Sequence, residues 1–491
     1  MLKRAVQSIY SKKNLNRKYK LSKSINLTKD PIWSLLKNVT IPASVGSLFQ
    51  TFYNLVDTWF AGRISAEAIS AIAKSFPIYF TIIAVGVGIG AATNACIGNL
   101  IGEKKLNRAS LFIAQSVVFA LFTSIIVTLF GLNASTFLLG VMGSDDAGIA
   151  LTREYLDIIF YGTFIVMVQI SLNGALNAQG DTKSYRNVLI FSFFLNIFLN
   201  PLFIWGFGVD LPFAINGMIE YVEIVPAYGI GGLAIATVIS QSIGTIYLAY
   251  KINSCRLKKY LTIICFLPKR EMLKELFSQA LPIMFSMLFI GVGIFNILYF
   301  IGQFGDLATA GYGAALRVEQ VFLLPVIGLN TAVLSIGGQN FGAKKYNRIR
   351  ELYTKALLFG SSFMAGAGVI LFFGAEFFVS QFTDNQEAII HGAIYLKVAA
   401  LIAPIYPVFF ITTAVFQALK KPIYSLYLSI LRLTAFPFLS LWYVINIRGG
   451  DYADIFYTIM ATNWFMGIAL IIFIGYFLNN VFKQKKSHFS Y

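Results

Sequence analysis

Histidine, cysteine and charge are all scarce in this chain of 491 residues, and each shortage excludes something. The only histidines are His391 and His488, and the only cysteines are Cys96, Cys255 and Cys265. No metal site and no Ser-His-Asp arrangement can be assembled from so few. No disulfide framework is implied either. A G-x-x-x-x-G-K-[ST] loop is missing, which argues against ATP as the direct energy source. The first 30 residues lack both an apolar core segment and a cleavage site, so they do not read as a signal peptide. Charged residues make up 12%, against roughly 25% in soluble domains. With 57% hydrophobic residues and a mean hydropathy of +0.71, a soluble fold is excluded.

What is present is apolar and long. Twelve runs, each long enough to span a bilayer at about 20 residues, fall near 35–61, 68–100, 109–138, 150–177, 185–207, 229–252, 276–302, 308–339, 350–374, 388–418, 423–447 and 453–482. They are too long for barrel strands, and irregular backbone is not tolerated against lipid, so they read as helices. The net charge of +17 follows the connections. Basic residues crowd the tail before the first run, then every second connection, including Lys104, Lys105 and Arg108, Lys183 and Arg186, Lys344, Lys345 and Arg348, and Lys420 and Lys421. Acidic residues lean to the others, among them Glu67, Asp145, Asp146, Asp306 and Asp384. This alternation is the positive-inside pattern and predicts cytoplasmic termini. It reads as topology, not as a nucleic-acid surface; the basic tail at 1–30 is expected to touch anionic lipid.

The chain also repeats itself. Residues 98–108 read GNLIGEKKLNR and residues 337–348 read GGQNFGAKKYNR. An offset of 240 carries Gly98, Gly102, Lys104, Lys105, Asn107 and Arg108 onto Gly338, Gly342, Lys344, Lys345, Asn347 and Arg348. The same offset carries Pro42 onto Pro282, Gly88 onto Gly328 and Ala178 onto Ala418. Near the sixth run of each half it becomes 225, with Ala236-Thr237 on Ala461-Thr462. The difference is an insertion in half one, around residues 211–228, expected as an outside loop with partial order. A repeat this long means two half-molecules, 31–260 and 261–491, joined by a basic linker near 251–274. Six helices per half enter the membrane with one orientation, so the halves should be related by a pseudo-two-fold along the membrane normal. In a membrane chain, such halves mark a secondary transporter. Pro42 and Pro282, each inside a run, are expected to bend their helices.

Ionisable groups inside membrane runs are costly and are functional candidates by default. Asp57 is the sharpest, in SLFQTFYNLVDTWFAG. A carboxylate there can exchange a proton, hold a sodium ion or bind a cation. Its affinity depends on its surroundings, so occupancy can be tied to conformation. Asn196 and Asn200 share one face at a spacing of four, and their amides can serve a cation or a neighbouring carboxylate; Thr237 adds a hydroxyl. Half two does not copy this set: Ile297, Phe436 and Ser440 stand at the positions matching Asp57, Asn196 and Asn200. Half two carries Arg317, Glu319 and Gln320, with Arg432 further on. An internal ion pair and a transport role are equally open there. Lys74 and Asp157 lie within about two turns of a helix end and could reach the interface. Some of the 46 phenylalanines could line an apolar cavity for organic cations.

With these residues in hand, the chain resembles the multidrug and toxic compound extrusion (MATE) family. The resemblance rests on YNLVDTWFAG, GALNAQGDTK (174–183), the Asn196/Asn200 pair before Pro201, GIGGLAIAT (229–237) and GGQNFGAKKYNR. It spans about residues 31–480 and looks closest to the DinF-like branch. It implies an all-α membrane protein of twelve transmembrane helices in two six-helix lobes. It also implies export of mostly cationic, amphipathic compounds in exchange for protons or sodium, with no enzymatic activity and no cofactor. The family's amino-terminal-lobe site maps onto Asp57, Asn196, Asn200 and Thr237. The chain departs from the branch at Asn200, where Asp is usual, and so offers one carboxylate rather than two. A monomer in the inner membrane of a bacterium is expected. Rival readings are a lipid-linked oligosaccharide flippase, which would want a cationic cavity, and a membrane-embedded transferase.

Overall fold

The computed structural model describes residues 25–211 and 220–487; the basic tail expected at 1–30 lies outside the described residues up to residue 24. Half one contains α1 (Ile32–Ile64), α2 (Ala66–Gly102), α3 (Leu106–Val141), α4 (Asp146–Tyr161 and Thr163–Asn177, bent by 47°), α5 (Lys183–Trp205) and α6 (Gly229–Ser254). Half two contains α7 (Arg270–Ile301), α8 (Asp306–Gly342), α9 (Tyr346–Phe373), α10 (Gln386–Ala418, broken by a tight turn at Ala403–Ile405), α11 (Ile423–Ile447) and α12 (Tyr452–Ser487). These are twelve membrane-crossing helices in two lobes. Most extend a few residues past the apolar runs. Among the described residues, ten helices, or eleven with the bent α4, are both long and apolar enough to cross a membrane on composition alone. The twelfth, α1, has the length at 33 residues but not the apolarity, because it carries Ser44, Ser47, Gln50, Thr51, Asn54 and Asp57. The insertion in half one is a hairpin, β1 (Phe207–Leu211) antiparallel to β2 (Glu220–Val225).

The ends of the helices repeat as faithfully as the sequence does. Asp145 caps α4 by accepting from the Gly148 amide at 3.0 Å. Asn385, 240 residues on, caps α10 by accepting from the Glu387 and Ala388 amides. At the opposite end, α2, α4, α8 and α10 all finish in left-handed turns, at Lys104, Gly180, Lys344 and Lys420. In each, an amide reaches back five residues, as from Lys105 to Leu100 and from Lys345 to Asn340, which satisfies carbonyls that a helix end leaves unpaired. The doubled GEKK and GAKK segments are therefore helix stops, and their lysines complement the negative end of the helix dipole. This basic end and the opposite far end are used below as directions.

Among the described residues two large apolar cores fill the molecule, with a small third cluster at Val326, Met364 and Ala403, and the large ones do not divide the chain at one point. One runs from Phe60 to Ala280 and takes in Met272, Leu276 and Ala280 from the start of α7. The other runs from Phe300 to Phe482 and takes in Leu27, Ile32, Leu35, Leu36 and Val39 from the start of α1. Each half's first helix therefore begins against the opposite lobe. The chain entering α1 is held there by α8 and α9. Asn340 Nδ2 donates to Leu27 O at 2.9 Å, Lys345 Nζ to Thr28 O at 2.8 Å and Arg348 Nη2 to Asp30 O at 2.7 Å. The chain entering α7 is held by Gln115 of α3, which bonds the Cys265 and Leu267 carbonyls and the Lys269 amide.

The pseudo-two-fold is written in reciprocal contacts between α2 and α8. Asn99 Nδ2 donates to Ala418 O at 3.0 Å, and Gln339 Nε2 donates to Ala178 O at 2.7 Å; each pair is the other shifted by 240. Gly102 lies against the Gln339 carbonyl and Gly342 against the Asn99 carbonyl, so close that a Cβ at either would overlap it. Gly88 meets Ala280 and Met284 of α7, and Gly328 meets Thr40 and Ser44 of α1. Eleven residues beyond Ser44, about three turns and so nearly the same face, Leu55 is 63% exposed. Phe295 stands in the same relation to Met284 and is 68% exposed. Arg317, eleven residues before Gly328, is exposed too. Faces that touch at the basic end are bare toward the far end, so the lobes part there.

Gly342→Ala should lower the unfolding temperature of the protein in detergent, at an overpacking cost of about 1–3 kcal/mol. Gly313→Ala in the same helix, where a methyl meets open space, should leave that temperature unchanged or raise it. Thermal unfolding followed by tryptophan fluorescence reads both.

Candidate functional site

Asp57 lies two turns before the far end of α1 and is buried. Its Oδ1 accepts from Asn200 Nδ2 at 3.0 Å, and its Oδ2 lies 3.4 Å from the Thr237 hydroxyl, which donates to it. Asn196 and Asn200, both fully buried, exchange bonds along α5: Asn200 Nδ2 donates to Asn196 Oδ1 at 3.0 Å and Asn196 Nδ2 to Asn200 Oδ1 at 3.3 Å. Asn196 Nδ2 also donates to the Tyr53 hydroxyl at 3.1 Å. The four residues singled out in half one are thus one network across α1, α5 and α6. A buried carboxylate needs such partners, because leaving it unpaired in an apolar interior costs several kcal/mol. Tyr53 was not singled out by sequence. Its signal is the spacing of four to Asp57, which mirrors the spacing of Asn196 to Asn200 and puts two facing pairs into register.

The arrangement offers a single negative charge held by one amide nitrogen and one hydroxyl, while the carbonyl oxygens of Asn196 and Asn200 accept from each other's amides. Each Asp57 oxygen accepts one bond and retains capacity for another ligand. Protonation or a bound monovalent cation would each neutralise the group in place. Among the described residues, no three His, Cys, Asp or Glu side chains group to hold a metal ion. An apolar cavity of about 220 Å³ lies between α2, α3 and α4, lined by Pro77, Ile78, Val127, Phe130 and Phe160; it contains none of the polar residues of the network.

At the matching positions of half two the chain does different work. Ile297 packs against the second core, and the Ser440 hydroxyl donates back to Phe436 O within its own helix. The set Arg317, Glu319 and Gln320 is split apart. Glu319 is buried and accepts from the hydroxyls of Tyr395 and Tyr406, one on each of its oxygens, the latter at 2.7 Å. Arg317 and Gln320 are exposed on another face of α8, so the internal ion pair left open by the sequence does not form. Their spacing explains it: Arg317 and Glu319 are two residues apart and point about 160° from each other on a helix. Arg432 does not pair with Glu319 either; its Nε donates to Asn463 Oδ1 at 3.0 Å. Asp157 is not a free interfacial acid but an ion-pair partner of Arg153 at 3.0 Å. Pro42 and Pro282 lie inside α1 and α7, close to the crossings at Ser44 and Met284.

The chain is similar to known proteins over nearly its whole length. The family model described as MatE matches twice, at residues 42–202 and 282–440, the two starts again 240 apart. A probable multidrug resistance protein, YpnP of Bacillus subtilis, is 25% identical over 423 residues, covering 86% of this chain and 90% of its own. An FAD transporter of Shewanella oneidensis is 25% identical over 464 residues, covering 90% and 94%. An outward-facing structure of a multidrug resistance MATE family transporter of the MOP superfamily shares the fold with a TM-score of 0.84 at 22% identity, over 95% of this chain and 100% of that one.

Asn200→Leu removes a hydrogen bond to the buried carboxylate and should destabilise the protein by about 1.5–3 kcal/mol, the usual size of a bond to a charged group. Ser440→Leu at the matching place in half two should cost less, because that hydroxyl serves only its own helix. Unfolding temperatures of the two variants in one detergent provide the comparison.

Proposed function

The chain belongs to the MATE family of membrane transporters, and from that premise we propose that it is an antiporter in which ion binding at Asp57 drives export of amphipathic organic compounds. It is not an enzyme. The observation that carries the reading is the network itself, a lone buried carboxylate held by Asn200 and Thr237 on a helix that also touches the other lobe. The coupling ion is a proton or sodium, since either would neutralise a lone carboxylate. The basic end is the cytoplasmic end, with both termini on that side of the plasma membrane, in keeping with the charge alternation. The protein acts as a monomer, since each monomer holds both lobes.

Neutralising Asp57 changes what Asn200 and Thr237 bond to, and that change acts on α1. The same helix packs its Thr40–Ser44 turn against Gly328 of α8, beside Pro42. The state of the ion site is thereby linked to the contact that closes the basic end. An ion entering from outside would favour one packing of α1 and a substrate entering from inside the other, which is alternating access. The substrate range is broad in this reading. The relatives quoted above include both a multidrug resistance protein and an FAD transporter, and the parted faces at Leu55 and Phe295 are apolar and bare.

Asp57→Asn keeps the size of the side chain but carries no charge, so it takes up no proton and loses the carboxylate that would hold sodium. In vesicles loaded with an efflux dye and given an imposed proton or sodium gradient, it should reduce initial exchange at least about tenfold, equivalent to about 1.4 kcal/mol of coupling. Full gradient-driven exchange by Asp57→Asn, with normal folding by gel filtration, would sink the role given to Asp57. Comparing the two gradients in the unaltered protein names the ion.

A further inference from the structure

We propose that the interior of lobe two holds an anion-binding site, in which Arg432 takes the carboxylate or phosphate group of an amphipathic substrate. The proposal rests on the transporter reading above and extends it from cations to anionic compounds. Arg432 belongs to the first of two π-helical stretches in α11, Ile430–Ala435 and Tyr443–Ile447. Such widened turns are rare and recur at functional sites. The guanidinium lies 3.7 Å from the centre of the Phe409 ring and 5.4 Å from that of Tyr406, both on α10. Its Nε is tied to Asn463 of α12, and Asn463 is oriented in turn by donating to Ile459 O at 2.8 Å. The group is therefore fixed in plane and position. Its two Nη atoms donate to no described residue. These are the two parallel donors with which arginine grips a carboxylate or phosphate.

Among the described residues, no carboxylate contacts the guanidinium directly. The nearby acid, Glu319, has both oxygens engaged by Tyr395 and Tyr406 and forms no ion pair with Arg432. A second, independent donor stands unused on α7, the helix that packs on α11 at Leu433. Asn296 of α7 is 9% exposed, and its Nδ2 has no hydrogen-bond partner. It lies three residues from Gly293, which packs directly on Leu433, the neighbour of Arg432, so it shares roughly the α11-facing side of α7. Buried donors left without partners are uncommon and call for an explanation; an anion accepting from both the guanidinium and the amide supplies one. Half one lacks every element of this set. Ser192 and Val56 stand where Arg432 and Asn296 would be, and Val238 where Asn463 would be. The lobes thus present opposite polarity, a carboxylate in one and a guanidinium in the other.

The test is equilibrium binding to the purified full-length protein in detergent, with no ion gradient, read by fluorescence anisotropy of carboxyfluorescein as the anionic probe and ethidium as the cationic one. Because no gradient is applied, failure of the coupling role of Asp57 would leave this result untouched. The unaltered protein should bind carboxyfluorescein. Arg432→Gln should raise its Kd at least about tenfold while leaving the Kd of ethidium within about twofold. Arg432→Lys should fall between, since lysine keeps the charge and loses the fork. Asn296→Leu, which leaves the guanidinium in place, should also weaken carboxyfluorescein selectively. The proposal is overturned if the unaltered protein binds no carboxyfluorescein, or if the Arg432 and Asn296 variants lose both probes equally.

Discussion

Backbone contact between α2 and α8 at the basic end is the constraint on which the rest of the structure depends. Gly102 and Gly342 let each helix approach the other's carbonyl, and Asn99 and Gln339 then reach the carbonyls that end α10 and α4. Between apolar helices in lipid, no hydrophobic force draws one to another beyond what lipid already offers. Association relies on small residues that permit close packing and on amides that bond across it. Both devices are concentrated here, twice each. Because this contact joins the lobes at one end, the faces of α1, α7 and α8 part toward the other.

The crossover of α1 and α7 gives this contact a mechanical partner. Each first helix starts in the core of the opposite lobe and finishes in its own. Asp57 is therefore connected, through one continuous helix, to the Thr40–Ser44 turn that packs on Gly328. The chain entering α1 is fastened by Asn340, Lys345 and Arg348, which belong to the second copy of the repeated basic segment. Rearranging the lobes means breaking or carrying these bonds, so the buried carboxylate and the basic end are joined through one helix.

The scaffold obeys the repeat and the sites do not. Caps at Asp145 and Asn385, turns at Lys104 and Lys344, and the reciprocal glycines all sit at the same offset. Asp57, Asn196 and Asn200 are matched by Ile297, Phe436 and Ser440, and Arg432 and Asn296 by Ser192 and Val56, so no charge is repeated. Two lobes of one ancestry can share helix packing, because packing is set by residue size and by backbone geometry. They need not share polar groups, which cost free energy when buried and persist only where a partner or ligand satisfies them.

Much of this was legible in the chain itself. The offset of 240, the alternation of basic connections and the twelve apolar runs determined a two-lobe membrane fold, because a bilayer allows a helical span little alternative. Asp57 with Asn196, Asn200 and Thr237 could be singled out because charge and amides in such runs are conspicuous. Other features needed the folded chain. Spacing alone puts Arg317 and Glu319 on different faces of α8, but it could not say what Glu319 meets; the hydroxyls of Tyr395 and Tyr406 come from α10. Tyr53, Asn463 and Asn296 look ordinary in sequence, whereas Arg432 stands out there as a charge in an apolar run; only the packing of α1 on α5 and of α7, α10 and α12 around α11 shows which of them have partners. Burial, pairing and the exchange of α1 and α7 between cores are properties of distant segments brought together, so tertiary structure alone decided them.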